Sequence, residues 1–381
     1  MTPRPVSFVV LAALTTACAP SVRVPVLQPA MVEVPADIRT IGVIDRSAPA
    51  NVGEGILGAL EGAVTGEGIM ADREGAAESL REVTFILQES PRFEVVTPNV
   101  TGAQANTGIF DNTLDFKTIK KICKEAGCDA LLALEAFDSD SSLSVDGAPI
   151  NPSTVYTDVT VQRDTRVLTA WRLYDADEDR VIDEIRGWDR SQTWDHYGAT
   201  LDEALRELPT AQDTVRVVGG DMGADYGMRI APTWVDVYRA YYGSGHPDLK
   251  EGKAYVKARD WDGAKEIWNE LASNPDPKIA GKASFNLALA AEVEGDLRQA
   301  LEHAKKAAVD LRNSRSRDYV WTIEQRIKDQ AKLEAQLAPP PPDAIPEFHK
   351  PTTPDVTKPS PEPAPAPAPS GGQTNTMTRP Q

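Results

Sequence analysis

Strand-like and helix-like apolar patterns alternate through the first part of the chain. A β-branched apolar run at 38–44 predicts a buried strand, and two further strands are predicted at 93–96 and 129–137. Apolar residues at helical spacing over 74–90 and 116–126 predict a helix after each of the first two strands. This order is typical of parallel strands joined by helical crossovers.

The apolar period changes to two further along the chain. Apolar and polar residues alternate over 159–173, and an acidic turn at 175–179 precedes a second run of the same kind, which predicts an antiparallel hairpin. Helices predicted at 200–208 and 215–230 would cover one face of the sheet. The sequence therefore predicts an α/β sandwich with a mixed sheet over 37–232, the first part of an α+β/α two-domain chain.

The second half contains an internal repeat. An Asp-x-x-x-Ala sequence that begins at Asp260 recurs at Asp296, an offset of 36 residues, with apolar residues at matching positions. The pattern resembles tetratricopeptide repeats, which are stacked helix pairs with a period of about 34 residues and a concave binding surface. We expect an α-helical tetratricopeptide-like domain over 233–337, with capping helices at 234–242 and 318–337.

The N-terminal residues have the pattern of a secretory signal. Arg4 precedes an apolar run at 6–14, which is shorter than the roughly 20 residues of a membrane-spanning helix. Small residues follow and end at Cys18, which resembles the lipobox of bacterial lipoproteins, where the cysteine is lipidated and acylated, for example with palmitate. Residues 1–18 are therefore expected to be a lipoprotein signal peptide. Ordinary signal cleavage beside an incidental cysteine is the alternative.

Proline-containing segments flank the two domains. Residues 19–36 predict an extended tether, and residues 338–381, rich in proline and alanine, predict a disordered tail. Ala19 follows the lipidation site, and without an aspartate in the second mature position we expect the outer membrane, on its periplasmic or surface side. Cys123 and Cys128 are the remaining thiols, and the sequence leaves open whether they pair.

The charge distribution excludes one class of partner. Residues 36–230 hold 35 Asp and Glu against 18 Lys and Arg, which accounts for the whole net charge of -17. Nucleic-acid binding depends on neutralising phosphates with Lys and Arg, so an acidic domain of this kind argues against it.

The sequence contains two apparent motifs for cofactors or metals, and neither has the spacing and residues that such a site requires. The Gly-x-Gly-x-x-Gly sequence at 53–58 begins eight residues after Asp45, too far from the strand for a dinucleotide site. Its wider context, 53–68, is either a close-packed glycine-rich segment or a surface for a partner or membrane. The turn at 175–179 resembles the start of a calcium loop, but arginines occupy the sixth and twelfth positions. We expect no catalytic residue, metal or cofactor.

Aromatic residues cluster after the predicted hairpin turn. Trp188, Trp194, His196 and Tyr197 lie near Asp189 within ten positions. Such a cluster is either part of the core or the lining of a pocket for a sugar or peptide. Burial of these rings would remove the second alternative.

Several strings together resemble one bacterial lipoprotein family. They are IGVIDRS at 41–47, EGAVTGE at 61–67, WRLYD at 171–175, YGMRIAPTW at 226–234 and RAYY at 239–242, together with the repeat around 261–271. The family, best represented among Bacteroidota, combines an α/β domain with tetratricopeptide-like helices. The resemblance implies this layout and a lipid anchor, and it implies no activity. The α/β half is also similar to periplasmic domains of lipoproteins that assemble secretion pores, by analogy of fold alone.

These features predict a non-enzymatic envelope lipoprotein that binds other envelope proteins on its helical repeats. Tyr255, Asn286 and Trp261 are the candidate partner-binding residues. One alternative is a subunit of an oligomeric outer-membrane pore or secretion assembly, and another is a periplasmic glycan- or peptide-binding module. Self-association is left open.

Overall fold

The computed structural model of the protein describes residues 19–47, 67–99, 113–146 and 159–339. These residues form an α/β domain with a mixed sheet followed by a helical region, which confirms the predicted order of the two parts. Cys18, the glycine-rich residues up to 66 and the proline-rich residues after 339 lie outside the described ranges. No helix within those ranges has both the length and the apolar character that a membrane span requires.

Most element boundaries lie within a few residues of the predicted ones. The described strands are β1 (Ser21–Gln28), β2 (Thr40–Asp45), β3 (Glu94–Val96), β4 (Ala130–Asp146), β5 (Val159–Asp175), β6 (Arg180–Gly198) and β7 (Thr233–Ala240). The described helices are α1 (Glu67–Glu89), α2 (Phe116–Ala126), α3 (Leu201–Glu207), α4 (Ala211–Ile230), α5 (Pro247–Lys257), α6 (Trp261–Leu271), α7 (Pro277–Glu294), α8 (Leu297–Leu311) and α9 (Ser314–Leu337).

A five-stranded mixed sheet forms the centre of the α/β domain, in the order β3-β2-β4-β5-β6. Strand β2 runs parallel to β3 and β4, and α1 and α2 provide the crossovers that parallel strands require. Strands β4, β5 and β6 are antiparallel. The carboxylate of Asp175 accepts the backbone N–H groups of Asp177 and Glu178 at 3.1 Å, which forms the predicted hairpin turn between β5 and β6.

Alternating side chains along these strands contribute to two separate cores. On one face, Val43, Leu132 and Trp171 pack with α1 and α4. On the other face, Ile44 and Leu131 pack with α2. The sheet therefore lies between helices on both sides, in three layers.

Glycine allows α1 and α4 to approach each other closely. A Cβ on Gly223 would lie 2.0 Å from the carbonyl oxygen of Ser79, and a Cβ on Gly219 would lie 2.8 Å from the carbonyl oxygen of Gly75. No side chain fits at these points without moving the backbone. The contact fixes the position of α4, whose C-terminal half forms one wall of the site described below.

The prediction of an extended tether over residues 19–36 is wrong, because part of this segment is a strand paired with the rest of the protein. Strand β1 pairs antiparallel with β7 over eight residues, with Val24 opposite Val237 and Val26 opposite Val235. The helix predicted over 234–242 is likewise wrong, since most of it is β7. We call the pair of strands β1 and β7 the ribbon.

The ribbon has one buried and one exposed face. Val24 and Val26 are buried against the helical region and the valines of β7 are partly buried there, whereas Trp234 and Tyr238 are 56% and 71% exposed. Alternating valines on both strands fit this pattern, as expected for a half-buried strand. The prediction failed because the two strands are about 200 residues apart, so neither shows its partner locally.

The helical region contains two helix pairs, α5–α6 and α7–α8, and the long helix α9. Asp260 and Asp296 occupy the N-caps of α6 and α8, and each accepts a backbone N–H three residues later at 2.9 Å. Ala264 and Ala300, four residues after these caps, are fully buried. Helix α7 is buried along most of its length, because the ribbon and the other helices pack around it.

Cys123 and Cys128 form a disulfide, which decides the question that the sequence left open. The bond joins the end of α2 to the residues before β4. Gly127 lies between them with a φ of 73°, the left-handed conformation that commonly ends a helix.

Candidate functional site

An open cleft of about 610 Å³ lies between the ribbon, the C-terminal half of α4 and the middle of β6. Its lining includes Met31, Ile185, Trp188, Met228, Arg229 and Val235. We call it the ribbon cleft. Its volume is in the range of sites that hold a small molecule or a few side chains of a partner.

The first wall is the segment that follows β1. The backbone N–H groups of Met31 and Val32 both donate to the carbonyl oxygen of Arg229, at 2.9 and 3.0 Å, near the end of α4. Ala30 is held from the other side by α9, as its carbonyl oxygen accepts from Lys332 at 2.6 Å and from Gln336 at 3.0 Å. The segment is therefore fixed between the two parts of the protein, while the Met31 side chain remains 72% exposed.

The second wall is the end of α4, where a buried carboxylate orients Arg229. Asp183 accepts two hydrogen bonds from the Arg229 guanidinium, at 3.0 and 2.9 Å, and a third from the Tyr226 hydroxyl at 3.0 Å. The hydrogen bond to Asp183 raises the pKa of Arg229, and burial raises the pKa of Tyr226 well above its ordinary value. The Tyr226 ring stacks on Trp171 at 4.9 Å, which anchors this wall in the core.

The third wall is β6 at a local distortion. Gly187 has a φ of 71°, and the register between β5 and β6 shifts between Thr169 and Trp171. Trp188 follows directly and is half-buried, with its ring against the α/β core and part of its surface in the cleft. Glycine is suited to this position, because its left-handed conformation is strained for other residues.

The chemistry of the ribbon cleft is that of an apolar surface with paired charges. Arg229 is bonded to Asp183, and Asp225 forms an ion pair with Arg190. Between them lie methionine, tryptophan and aliphatic side chains, which adapt to apolar ligands of varied shape. In the described part of the chain, no three His, Cys, Asp or Glu side chains are grouped so that they could hold a metal ion.

A separate polar cluster lies inside the sheet, at the carboxyl end of β2. Glu135 is fully buried at a β-bulge, where it pairs with Arg46 and Arg172 and accepts the Tyr174 hydroxyl at 2.5 Å. Burial and the bond to Glu135 raise the pKa of Tyr174 to about 12. The cluster neutralises a buried carboxylate.

The structure places the three predicted partner-binding residues inside the helical region. Asn286 is fully buried, and its side chain donates to the carbonyl oxygen of Tyr242 at 2.7 Å and accepts the N–H of the same residue at 2.8 Å. Its assignment to a partner is therefore wrong, because the ribbon end occupies that surface. Tyr255 and Trp261 are half-buried against the helical core, and their contact with a partner stays a prediction.

The predicted aromatic cluster does not form one pocket. Trp188 borders the ribbon cleft, whereas Trp194, about 20 Å further along the strand, packs near α3 against Val159 and Val161. Tyr197 points to the opposite face of the strand and is 61% exposed. Of the predicted cluster, Trp188 is the member that lines the ribbon cleft, and His196 is half-buried on the Trp194 side of the strand.

Models of two protein families match the chain, one in each part. Residues 38–242 match the family described as Domain of unknown function (DUF8603), and this match covers more than half of the chain. The chain belongs to that family. Residues 250–329 match a second family, Domain of unknown function (DUF6340). No curated protein matches the chain.

Sequence reasoning missed most of the ribbon cleft. Met31 falls in the segment taken for a tether, and Met228 falls in a helix that was expected to cover one face of the sheet. The lining comes from four segments between residues 28 and 235, so no local pattern marks it. The dense aromatic residues of β6 were the one signal, and they indicated Trp188.

Proposed function

We propose that this protein is a non-enzymatic lipoprotein of the bacterial cell envelope, anchored in the outer membrane, that binds an apolar segment of a protein partner in the ribbon cleft. The observation that carries the proposal is the cleft itself. Met31, Trp188 and Met228 meet there from three elements, and the neighbouring charges are already paired. Large aromatic and methionine side chains of this kind are typical of protein-binding surfaces.

The helical region supports the site in this proposal. Its two caps at Asp260 and Asp296, 36 residues apart, and its buried alanines favour a tetratricopeptide-like arrangement of α5 to α8. The ribbon covers the face of α7 that carries Asn286, so the repeats hold the ribbon in place. The partner contact is proposed beside the ribbon, where Met31 is exposed.

The membrane anchor is proposed at Cys18. The supporting features are the basic and apolar residues before it and the small residues directly preceding the cysteine. The measurement is metabolic labelling with a palmitate analogue, with a Cys18→Ala variant as the control. We expect label in the native protein and none in the variant, and an unlabelled native protein would overturn this part of the proposal.

A peptide-display selection tests the ribbon cleft directly. A library of random peptides is selected on residues 19–381, and the affinities of the enriched peptides are measured by fluorescence anisotropy. We expect apolar peptides whose affinity falls at least about tenfold in Met228→Glu and in Trp188→Ala, because each change removes apolar contact area. Val309→Glu, at an exposed position of α8, is the matched control and should bind normally.

The outcomes separate the alternatives. Peptide binding that Met228→Glu leaves unchanged would place the site elsewhere and contradict the proposal. Glycan binding that depends on Trp188, in the absence of peptide binding, would favour the glycan-binding module. The pore alternative depends on the glycine-rich residues 53–68, nearly all of which lie outside the described ranges.

A further inference from the structure

Three basic residues lie together at one end of the ribbon. The Lys282 ammonium lies 5.8 Å from the centre of the Tyr242 ring, and the Arg315 guanidinium carbon lies 5.4 Å from it. The Lys253 side chain packs against Gly243, the residue after Tyr242. Its Cδ lies 2.8 Å from the position that a Cβ on Gly243 would occupy. We call Lys253, Lys282 and Arg315 the anchor collar.

The anchor collar lies beside the point where the N-terminal chain leaves the ribbon. Pro20 lies within 3.0 Å of the same Cβ position on Gly243, so its ring is adjacent to Lys253. The carbonyl oxygen of Pro20 also accepts the N–H of Tyr241 at 2.9 Å, which fixes it to the end of β7. The emerging chain is therefore held directly against the collar.

Chain length then limits the distance to the lipid. Cys18 is two residues before Pro20, and an extended chain advances at most about 3.6 Å per residue. Two residues of chain therefore span at most roughly 7 Å. A lipid on Cys18 would bring the membrane surface to the anchor collar.

The described ranges contain no carboxylate paired with the anchor collar. None of its three cations forms an ion pair with a carboxylate in the described ranges, although many other basic residues there do. Lys282 and Arg315 share a single aromatic ring, which brings two like charges close together. In a protein with a net charge of -17, such a local excess favours an anionic ligand.

We propose that the anchor collar binds the anionic headgroups of phospholipids and so orients the protein on the membrane. This inference rests on the lipid at Cys18 that the proposed function contains. Basic residues beside a membrane anchor attract anionic lipids. The interaction fixes which side of the ribbon faces the membrane, and therefore where the ribbon cleft opens.

The test uses a chain with a single acyl group. In residues 18–381 the only thiol outside the disulfide is that of Cys18, so one myristoyl chain can be attached there through a maleimide. One such chain gives weak, reversible membrane binding, on the order of 10⁴ M⁻¹. Binding is measured by vesicle sedimentation, with phosphatidylcholine alone and with phosphatidylcholine that contains phosphatidylglycerol. We expect partition to rise at least about tenfold with the anionic lipid and to fall again in high salt.

Charge-reversal variants provide the control. The triple variant Lys253→Glu, Lys282→Glu, Arg315→Glu should lose the preference for anionic vesicles. The variant Lys124→Glu, Arg298→Glu, Lys328→Glu has the same net charge, changes exposed positions away from the collar, and should retain most of the preference. Circular dichroism checks that both variants are folded. If the first variant does not fold, the salt dependence of vesicle binding by the acylated chain without substitutions still tests the proposal.

Two results would overturn the proposal. Equal loss of binding in both variants would show that total charge matters and that the anchor collar does not. Binding of inorganic phosphate, with no gain from anionic vesicles, would show a soluble-anion site instead. Because the acyl group is attached chemically, either result is independent of whether cells lipidate Cys18, which the palmitate labelling tests separately.

Discussion

The side chain of Gln336 holds both backbone groups of Ala30, although 306 residues separate them. Its amide oxygen accepts the N–H of Ala30 at 2.9 Å, and its amide nitrogen donates to the carbonyl oxygen at 3.0 Å. The next two residues, Met31 and Val32, bond to the end of α4. Ala30 is therefore one point at which the helical region and the α/β domain are joined, directly beside the ribbon cleft.

Removal of this contact should destabilise the protein. Gln336→Ala leaves the buried N–H of Ala30 without its partner and weakens the bonding of its carbonyl oxygen, a cost of about 1–3 kcal/mol in the free energy of unfolding. Urea denaturation followed by circular dichroism measures it. Gln330→Ala, on the exposed side of the same helix, is the control and should cost less than about 0.5 kcal/mol. Equal effects of the two changes would contradict the joining role of Gln336.

Glu292 is the charged centre of the helical region. Its fully buried carboxylate pairs with Arg239 of the ribbon at 3.0 Å and with Arg326 at 2.7 Å, and it accepts the Tyr319 hydroxyl at 2.6 Å. We expect Glu292→Gln to destabilise the protein by about 3 kcal/mol or more, because two cations lose their partner. Urea denaturation near pH 7 measures the change. Glu294→Gln on the same helix removes a more exposed ion pair with Lys265 and should cost less than about 1 kcal/mol.

The contribution of Glu292 should depend on pH. Burial raises its pKa, but the hydrogen bonds and charges of Arg239, Tyr319 and Arg326 outweigh burial, so the pKa lies below its ordinary value of 4.5. A lowered pKa in the folded state gives stability that is present above the ordinary value and is lost as the pH falls below it. The difference between the native protein and Glu292→Gln should therefore shrink below pH 4.5. A constant difference down to acid pH would contradict this assignment.

Replacement of two glycines on α4 by alanine should change the stability of the protein in opposite directions. Gly223→Ala places a Cβ 2.0 Å from the Ser79 carbonyl oxygen, so α1 and α4 must separate, at a cost of about 1–3 kcal/mol. Gly220→Ala meets only the flexible side chains of Glu78 and Glu82, at 3.2 and 3.4 Å, and should be neutral or stabilise the helix by up to about 1 kcal/mol. Thermal unfolding of the two variants distinguishes them. A stabilising Gly223→Ala would show that the helices do not cross at this point.

Asp72 on α1 should make the α/β domain less stable as the pH rises. Burial raises its pKa to about 6, and the carboxylates of Asp138 and Asp140 add to the shift, against a hydrogen bond from Ser139. Between the ordinary value of 3.8 and about 6 the unfolded chain loses its proton first, so folding stability falls across this window and stays lower above it.

Asp72→Asn removes this buried charge. We expect the variant to be more stable than the native protein by about 1–3 kcal/mol near pH 7, with the difference vanishing near pH 4. Urea denaturation at both pH values gives the comparison. Asp138→Asn, at an exposed position, is the control and should show a smaller gain. A variant that is less stable than the native protein at neutral pH would show that Asp72 is ionised and stabilising in the folded state.

The sequence by itself determined most elements of the α/β domain, because their signals are local. The apolar run at 38–44, the helical spacing at 116–126 and the turn at 175–179 each report a short-range preference, and the structure confirms a strand, a helix and a hairpin turn there. The N-caps Asp260 and Asp296 also follow from local spacing. Such patterns depend on the period of burial within one element.

Only the tertiary structure decided the ribbon, the ribbon cleft and the anchor collar. Strand β1 was read as a tether because its partner β7 is about 200 residues away. Asn286 was read as a surface residue because Tyr242, at the end of the ribbon that covers it, is 44 residues away. Met31, Trp188 and Met228 meet for the same reason. Contacts between distant segments depend on how the elements pack, and a single sequence records the period of each element without recording which elements lie side by side.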